Sequence, residues 1–260
     1  MVTMMTDQTK GQTVDGCVNF RAVENYPAGN GMRLRAGLLF RSGAYDRITP
    51  LGLSQVGALA PGLVYDLRSR AERTRMPTRL DQLNGLNLRP EPHDISLGNP
   101  LRALHESGTR PEQGHAAMVA MYSALPFDFA PILRDFLFQA GQSTGPVLVH
   151  CQIGKDRTGA AVALLLSALG IDRDAILEDY ARTAAAVPLI KAQLRSRRGE
   201  GSYEDLGDAV LDKVVAAEPD YLRSFFQAIQ ARDGSVQDYL TSRLGLDPAL
   251  RRKLYALFLD

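Results

Sequence analysis

Residues 145–170, "GPVLVHCQIGKDRTGAAVALLLSALG", leave the chain little choice of architecture. "GPVLVHC" (145–151) is continuous in apolar residues, as strands of buried parallel sheets tend to be. "TGAAVALLLSALG" (158–170) is apolar on all sides and too short to span a bilayer. It reads as a buried helix from Thr158, closed by Gly170. A 260-residue chain with 45% hydrophobic and 23% charged residues can bury both in one α/β domain.

The flanking sequence supports that class. "LLFRSGAYDR" (38–47) and "LVYDLRSRAER" (63–73) each break from a short apolar run into charge, reading as strands that carry polar residues to a sheet edge. Thr49–Pro50 is a cap and first-turn proline for a helix between them. Residues 85–113, rich in proline and glycine, read as a long surface connection. Helical patterns cover 114–125 and 128–141, and Asp172 caps another helix. Further helices are expected at about 185–197, 204–217, 219–232, 235–244 and 248–258, with Ser235 and Asp247–Pro248 as caps. Residues 1–15 are polar and expected to fray, leaving 16–260 as one domain.

Between strand and helix lies "HCQIGKDRTG" (150–159). The first amides of a helix lack intrahelical partners and carry partial positive charge, so the helix start accepts phosphate-sized anions. Arg157 enters there with a planar fork matched to two oxygens of a tetrahedral anion. The same field favours thiolate over thiol at Cys151. The five residues between Cys151 and Arg157 let the intervening amides curl as a nest. A thiolate beneath a bound phosphate is poised for in-line displacement. A Walker A loop is excluded, because Gly154–Lys155 is followed by Asp156 rather than Ser or Thr.

This His-Cys, five residues, Arg-Thr pattern resembles the signature of the cysteine-dependent protein tyrosine phosphatases. The fuller "HCxxGKDRTG" form resembles a bacterial branch of that superfamily, which includes mycobacterial and listerial enzymes acting on phosphotyrosine and, in some members, phosphoinositides. "NFRAVENYP" (19–27), "GLLFRSGAYDRIT" (37–49), "LVYDLRSRAER" (63–73) and "GSVQDYLTSRLGL" (234–246) look like segments of the same family, in family order. "AVEN" departs from the acidic-Gly-Gly pattern often found there, and 185–217 aligns poorly. The resemblance implies a central, mostly parallel sheet of four to five strands flanked by helices, with a helical lid region at about 182–217. It also implies phosphomonoester hydrolysis through a phosphocysteine, with Cys151 as nucleophile, Arg157 as clamp, and Gln152, Ile153, Gly154, Lys155, Asp156 and Thr158 lining the anion site.

The supporting residues carry alternatives. His150, by resemblance, is a buried imidazole that steadies the loop. Thr158 either serves the helix start or donates to the thiolate. Lys155 is either solvated or directed at a phosphate. Asp156 is the general acid the resemblance implies, or only a carboxylate favoured by the helix start. Asp66 is a second candidate acid, Arg68 beside it binds substrate or pairs with it, and Asp94 is a weaker third acid. No tryptophan is present, so the Trp-Pro-Asp acid loop of ordinary tyrosine phosphatases is absent. Lys191, Arg195 and Arg198 fall on one helical face, either solvated or bordering the site to favour acidic headgroups.

The partners expected are a phosphorylated protein or a phosphoinositide. A net charge of +1 argues against a nucleic-acid footprint, and no integral membrane segment is expected. Two cysteines, with Cys17 read as a small buried hydrophobe, form no disulfide framework. His93, His105 and His115 have no ligand spacing, so neither metal nor cofactor is expected. "MVTMMTDQTKGQT" has no apolar stretch of a secretory signal, which gives a cytoplasmic expectation. The rival readings are a rhodanese-like or arsenate-reducing cysteine enzyme, tested with thiosulfate, and a phospho-binding module without hydrolysis, tested by phosphate release.

Overall fold

The computed structural model describes residues 13–90, 94, 104, 110–196, 203 and 206–260. Five strands form one sheet: β1 (Arg21–Ala22), β2 (Leu39–Ser42), β3 (Leu63–Asp66), β4 (Leu88–Pro90) and β5 (Val147–His150), in the order β1-β2-β5-β3-β4. Only β1 runs antiparallel to its neighbour. Every residue of β2, β3 and β5 is buried, as expected of parallel strands covered on both faces.

Strand alternation divides the core. Leu39, Leu63, Tyr65, Val147 and Val149 pack into the larger hydrophobic cluster, whereas Phe40, Val64 and Leu148 enter a smaller one on the opposite face. The smaller face is closed by α1 (Pro50–Ala58), whose Leu53 and Val56 reach it. Thr49 caps α1 by accepting the Gly52 amide. The larger face carries α3 (Pro111–Asp128), α4 (Ala130–Gln142) and α5 (Asp156–Ala168), with α6 (Arg173–Ala181), α9 (Pro219–Asp233) and α10 (Pro248–Phe258) outside them. All twelve residues of α5 from Arg157 onward are buried. Gly170 stands after this helix at φ +76°, the left-handed C′ position that glycine occupies without strain. Asp172, Ser235 and Asp247 each accept a backbone amide of the helix that follows.

Several expectations need correction. The buried helix begins at Asp156, two residues before Thr158, so Asp156 and Arg157 are themselves helical. The 63–73 segment is strand only to Asp66; Ser69 then starts α2 (Arg70–Arg75) through a capping box with Glu72. The 85–113 connection contributes β4, a strand of three residues too short to announce itself in a proline-rich stretch. Leu104 is also buried in the core, while most of 91–109 lies outside the described residues. In the expected N-terminal tail, residues 1–12 lie outside the description, but Val14 is buried and Asp15 accepts the Thr49 hydroxyl at 2.6 Å. The proposed lid region contains α7 (Val187–Arg195) and α8 (Asp208–Val215), with 197–202, 204 and 205 outside the description. No single helix among the described residues is long and apolar enough to cross a membrane.

Candidate active site

The parallel register brings the ends of three strands together. Ser42 of β2 and Asp66 of β3 both pair with His150 of β5. The chain passes from β2 to β3 over β5, so the crevice at their carboxyl ends is where an open α/β sheet binds its ligand. Cys151 leaves β5 at this edge, buried, and residues 152–155 curl directly into α5. Gly154 permits the curl. Its φ is +69°, and a β-carbon there would stand 2.5 Å from the Ser42 carbonyl, so no other side chain fits.

Arg157 lies in the first turn of α5, nearly buried. Its Nη1 and Nη2 donate to the two oxygens of Glu72, each at 2.6 Å, and Nη1 also donates to the Leu67 carbonyl at 3.2 Å. Burial alone would raise the Glu72 carboxyl; the Arg157 charge and hydrogen bonds outweigh it and bring it down to about 2. Glu72 also accepts the Ser69 amide at 2.8 Å, so one carboxylate caps α2 and sets the guanidinium plane. Sequence reading did not single out Glu72. Its signal was the Ser-x-x-Glu pattern of residues 69–72.

His150 is fully buried beneath the loop, its ring edge-on to Tyr45 at 4.9 Å and its Nδ1–H directed at the Cys151 carbonyl at 3.3 Å. Burial, opposed by Asp66 and reinforced by Arg68 and Arg157, pushes the imidazole down to about 4, which keeps it neutral. Thr158 is fully buried, and its Oγ1 meets no hydrogen-bond partner among the described residues.

The candidate acids separate clearly. Asp156 keeps part of its surface, and Oδ1 accepts the Tyr122 hydroxyl at 2.9 Å. Tyr122 and Tyr180 share a further hydrogen bond at 2.7 Å. Burial and the Asp156 charge raise the Tyr122 phenol well above its usual range, so it remains a donor. Asp66, by contrast, is buried, and both its oxygens are taken by Arg68 at 2.8–3.1 Å. Burial alone would raise its carboxyl, but His150 and Arg68 outweigh that and hold it below the usual range. Buried and held on both oxygens, Asp66 is placed as the partner of Arg68, whereas Asp156 keeps the exposed surface a proton donor to substrate needs. Arg68 is likewise no substrate ligand: it is wholly buried, and its remaining arm donates to the Met76 carbonyl at 2.7 Å. Asp94 is exposed, 3.8 Å from Arg70.

Lys155 is not solvated. It is fully buried, with Nζ donating to the carbonyls of Val214 and Ala216 at the end of α8 and lying 3.3 Å from Asp156. The expected cationic stripe is also neutralised. Lys191 pairs with Asp212 at 2.6 Å and Asp208 at 3.3 Å, Arg195 pairs with Asp208 at 2.8 Å, and Arg198 lies outside the described residues. Lys191 and Arg195 thus face the carboxylates of α8. His93 and His105 also lie outside the described residues, while His115 sits 3.3 Å from Glu218. Cys17 is half-buried, and burial with Asp46 and Asp15 pushes its thiol up to about 12.

A buried cysteine followed by a curled loop, an arginine fork in the first helical turn and a carboxylate fixing that fork define a cysteine-based phosphatase of the α/β class. A sequence profile of the "Tyrosine phosphatase family" matches residues 12–260. The chain belongs to this family and is a protein tyrosine phosphatase by membership. It is 30% identical over 258 aligned positions to "Triple specificity protein phosphatase PtpB" of Mycobacterium tuberculosis, covering 86% of this chain and 91% of that one. An inferred tyrosine-protein phosphatase of Cupriavidus necator is 29% identical over 242 positions, covering 93% and 86%. Among solved structures, TpbA of P. aeruginosa is 15% identical, with a TM-score of 0.33, over 77% of this chain and 96% of that one.

Proposed function

We propose that the chain hydrolyses phosphotyrosine on proteins through a phosphocysteine intermediate, without metal or cofactor. The observation that carries this reading is Arg157 held in the first turn of α5 by both oxygens of Glu72, six residues after Cys151. In the first step the Cys151 sulfur bonds to phosphorus while the bond to the leaving oxygen breaks. The amides of Gln152, Ile153, Gly154, Lys155, Asp156 and Arg157, with the arginine fork, hold the equatorial oxygens. Asp156 gives its proton to the leaving oxygen. It then takes one from the water that attacks the phosphocysteine and breaks the phosphorus–sulfur bond, releasing phosphate. Tyr122 supports this role by fixing the carboxylate from the side of α3. The unpartnered Thr158 hydroxyl is available to the departing thiolate.

The relative with triple specificity supports a wider substrate range, in which phosphoserine, phosphothreonine and phosphoinositides present the same dianion. A panel of phosphopeptides and phosphoinositides read as kcat/KM ranks these substrates, with phosphotyrosine expected first. Cys151→Ser should abolish turnover of an aryl phosphate while inorganic phosphate still binds. Normal turnover by that variant would exclude the mechanism. Asp156→Asn should lose far more on alkyl than on aryl phosphates, since only poor leaving groups need the proton.

A further inference from the structure

The phosphate loop is gripped from behind by residues that the reaction scheme leaves unused. Asn19, just before β1, donates through Nδ2 to the carbonyls of Ile153 at 3.2 Å and Gly154 at 2.9 Å. Arg41 of β2, fully buried, donates through Nη2 to the same Gly154 carbonyl at 2.9 Å. Its Nη1 meets the buried Asp179 of α6 at 2.5 Å. Arg21 ties the two together, donating to Asn19 Oδ1 at 2.6 Å and to the Asp179 carbonyl at 2.7 Å. Two side chains, Asn19 and Arg41, therefore hold two consecutive carbonyls, and Arg21 and Asp179 tie those two side chains together.

The consequence follows from peptide geometry. In a planar trans peptide the carbonyl and the next residue's N–H point in opposite directions. No peptide among the described residues is cis. Carbonyls of Ile153 and Gly154 drawn toward Asn19 and Arg41 therefore turn the amides of Gly154 and Lys155 the other way. Left free, a glycine in the left-handed region can present its carbonyl to the anion instead, and a carbonyl oxygen repels a phosphate dianion. Ionic partners also make this grip firmer than a neutral one, since charge-assisted hydrogen bonds are the stronger kind.

We propose that Asn19 and Arg41, coupled through Asp179, are positioning residues that aim the Gly154 and Lys155 amides at the bound phosphate. The role rests on the phosphatase reading above and adds to it the parts of the "NFRAVENYP" and "GLLFRSGAYDRIT" segments that the chemistry does not touch.

Asn19→Asp tests this directly, because it keeps the side-chain shape but replaces the donor by an acceptor. Asn19 stands at φ 55°, a region that aspartate also tolerates. The inhibition constant for inorganic phosphate and for vanadate should rise by about tenfold, the scale of the two neutral hydrogen bonds lost to the Ile153 and Gly154 carbonyls. The thermal midpoint should fall as well, because two loop carbonyls lose their donor, so the inhibition constants are read well below it. Arg41→Lys keeps a charge for Asp179 and should lose less anion affinity than Arg41→Met, which supplies neither charge nor donor. If Asn19→Asp does not fold, the Arg41 pair reads the same quantity. Folded variants that bind phosphate as the wild type does would overturn the positioning role. A wild-type chain that binds no phosphate would instead sink the phosphatase reading, and the positioning role with it.

Discussion

His150 illustrates how one side chain under the loop couples acidity to stability. Its imidazole falls from an ordinary value of 6.5 to about 4 in the folded chain, so the unfolded chain binds the extra proton between those values. Stability from this group is fully present above pH 6.5 and is lost as pH falls toward 4. The loss amounts to about 3 kcal/mol at ~1.4 kcal/mol per pH unit. Urea denaturation at pH 7 and pH 5 should show about 2 kcal/mol of this fall in the wild type and a smaller one in His150→Asn. Equal slopes in both proteins would assign the acid sensitivity elsewhere. At this scale Cys151 and Arg157 were legible because their chemistry depends on spacing along one segment. Asp66 and Lys155 were harder to read, since a charge beside a motif looks the same in sequence whether it faces the substrate, a buried arginine or a buried carbonyl.

Helix α2 has a double attachment. Ser69 holds its first turn through Glu72, and the same Glu72 holds Arg157 of α5. Glu72→Gln keeps a capping side chain but removes the charge facing the guanidinium. It should lower kcat/KM on an aryl phosphate by about tenfold or more while leaving the helical circular dichroism unchanged, in line with the ~1.5–3 kcal/mol of a hydrogen bond to a charged group. An unaltered kcat/KM would show that Arg157 holds its plane without help. The helices themselves were readable from caps, prolines and apolar periodicity. Contacts between them were not: Glu72 with Arg157, Tyr122 with Asp156 and Arg41 with Asp179 each join residues more than 30 positions apart, which no local pattern reports.

Across the whole molecule, α5 is the pillar on which both core and site depend, being buried from Arg157 to Ala168. Leu165→Ala removes a fully buried side chain there and should cost about 3 kcal/mol of unfolding free energy, read by chemical denaturation. A loss below about 1 kcal/mol would mean that neighbouring helices collapse into the gap. The α/β class was visible in sequence because a doubly covered strand followed by an all-apolar helix admits few alternatives. The strand order and β4 were not, because pairing is decided between segments and β4 is only three residues long. One consequence concerns the opposite rim of the sheet. Cys151, Ser42 and Asp66 all stand at the carboxyl ends of their strands, so the turns entering those strands take no part in the reaction. Such turns can be lengthened or tagged without touching the catalyst so long as Gly62 is kept, since a β-carbon there would stand 2.5 Å from the Gly145 nitrogen.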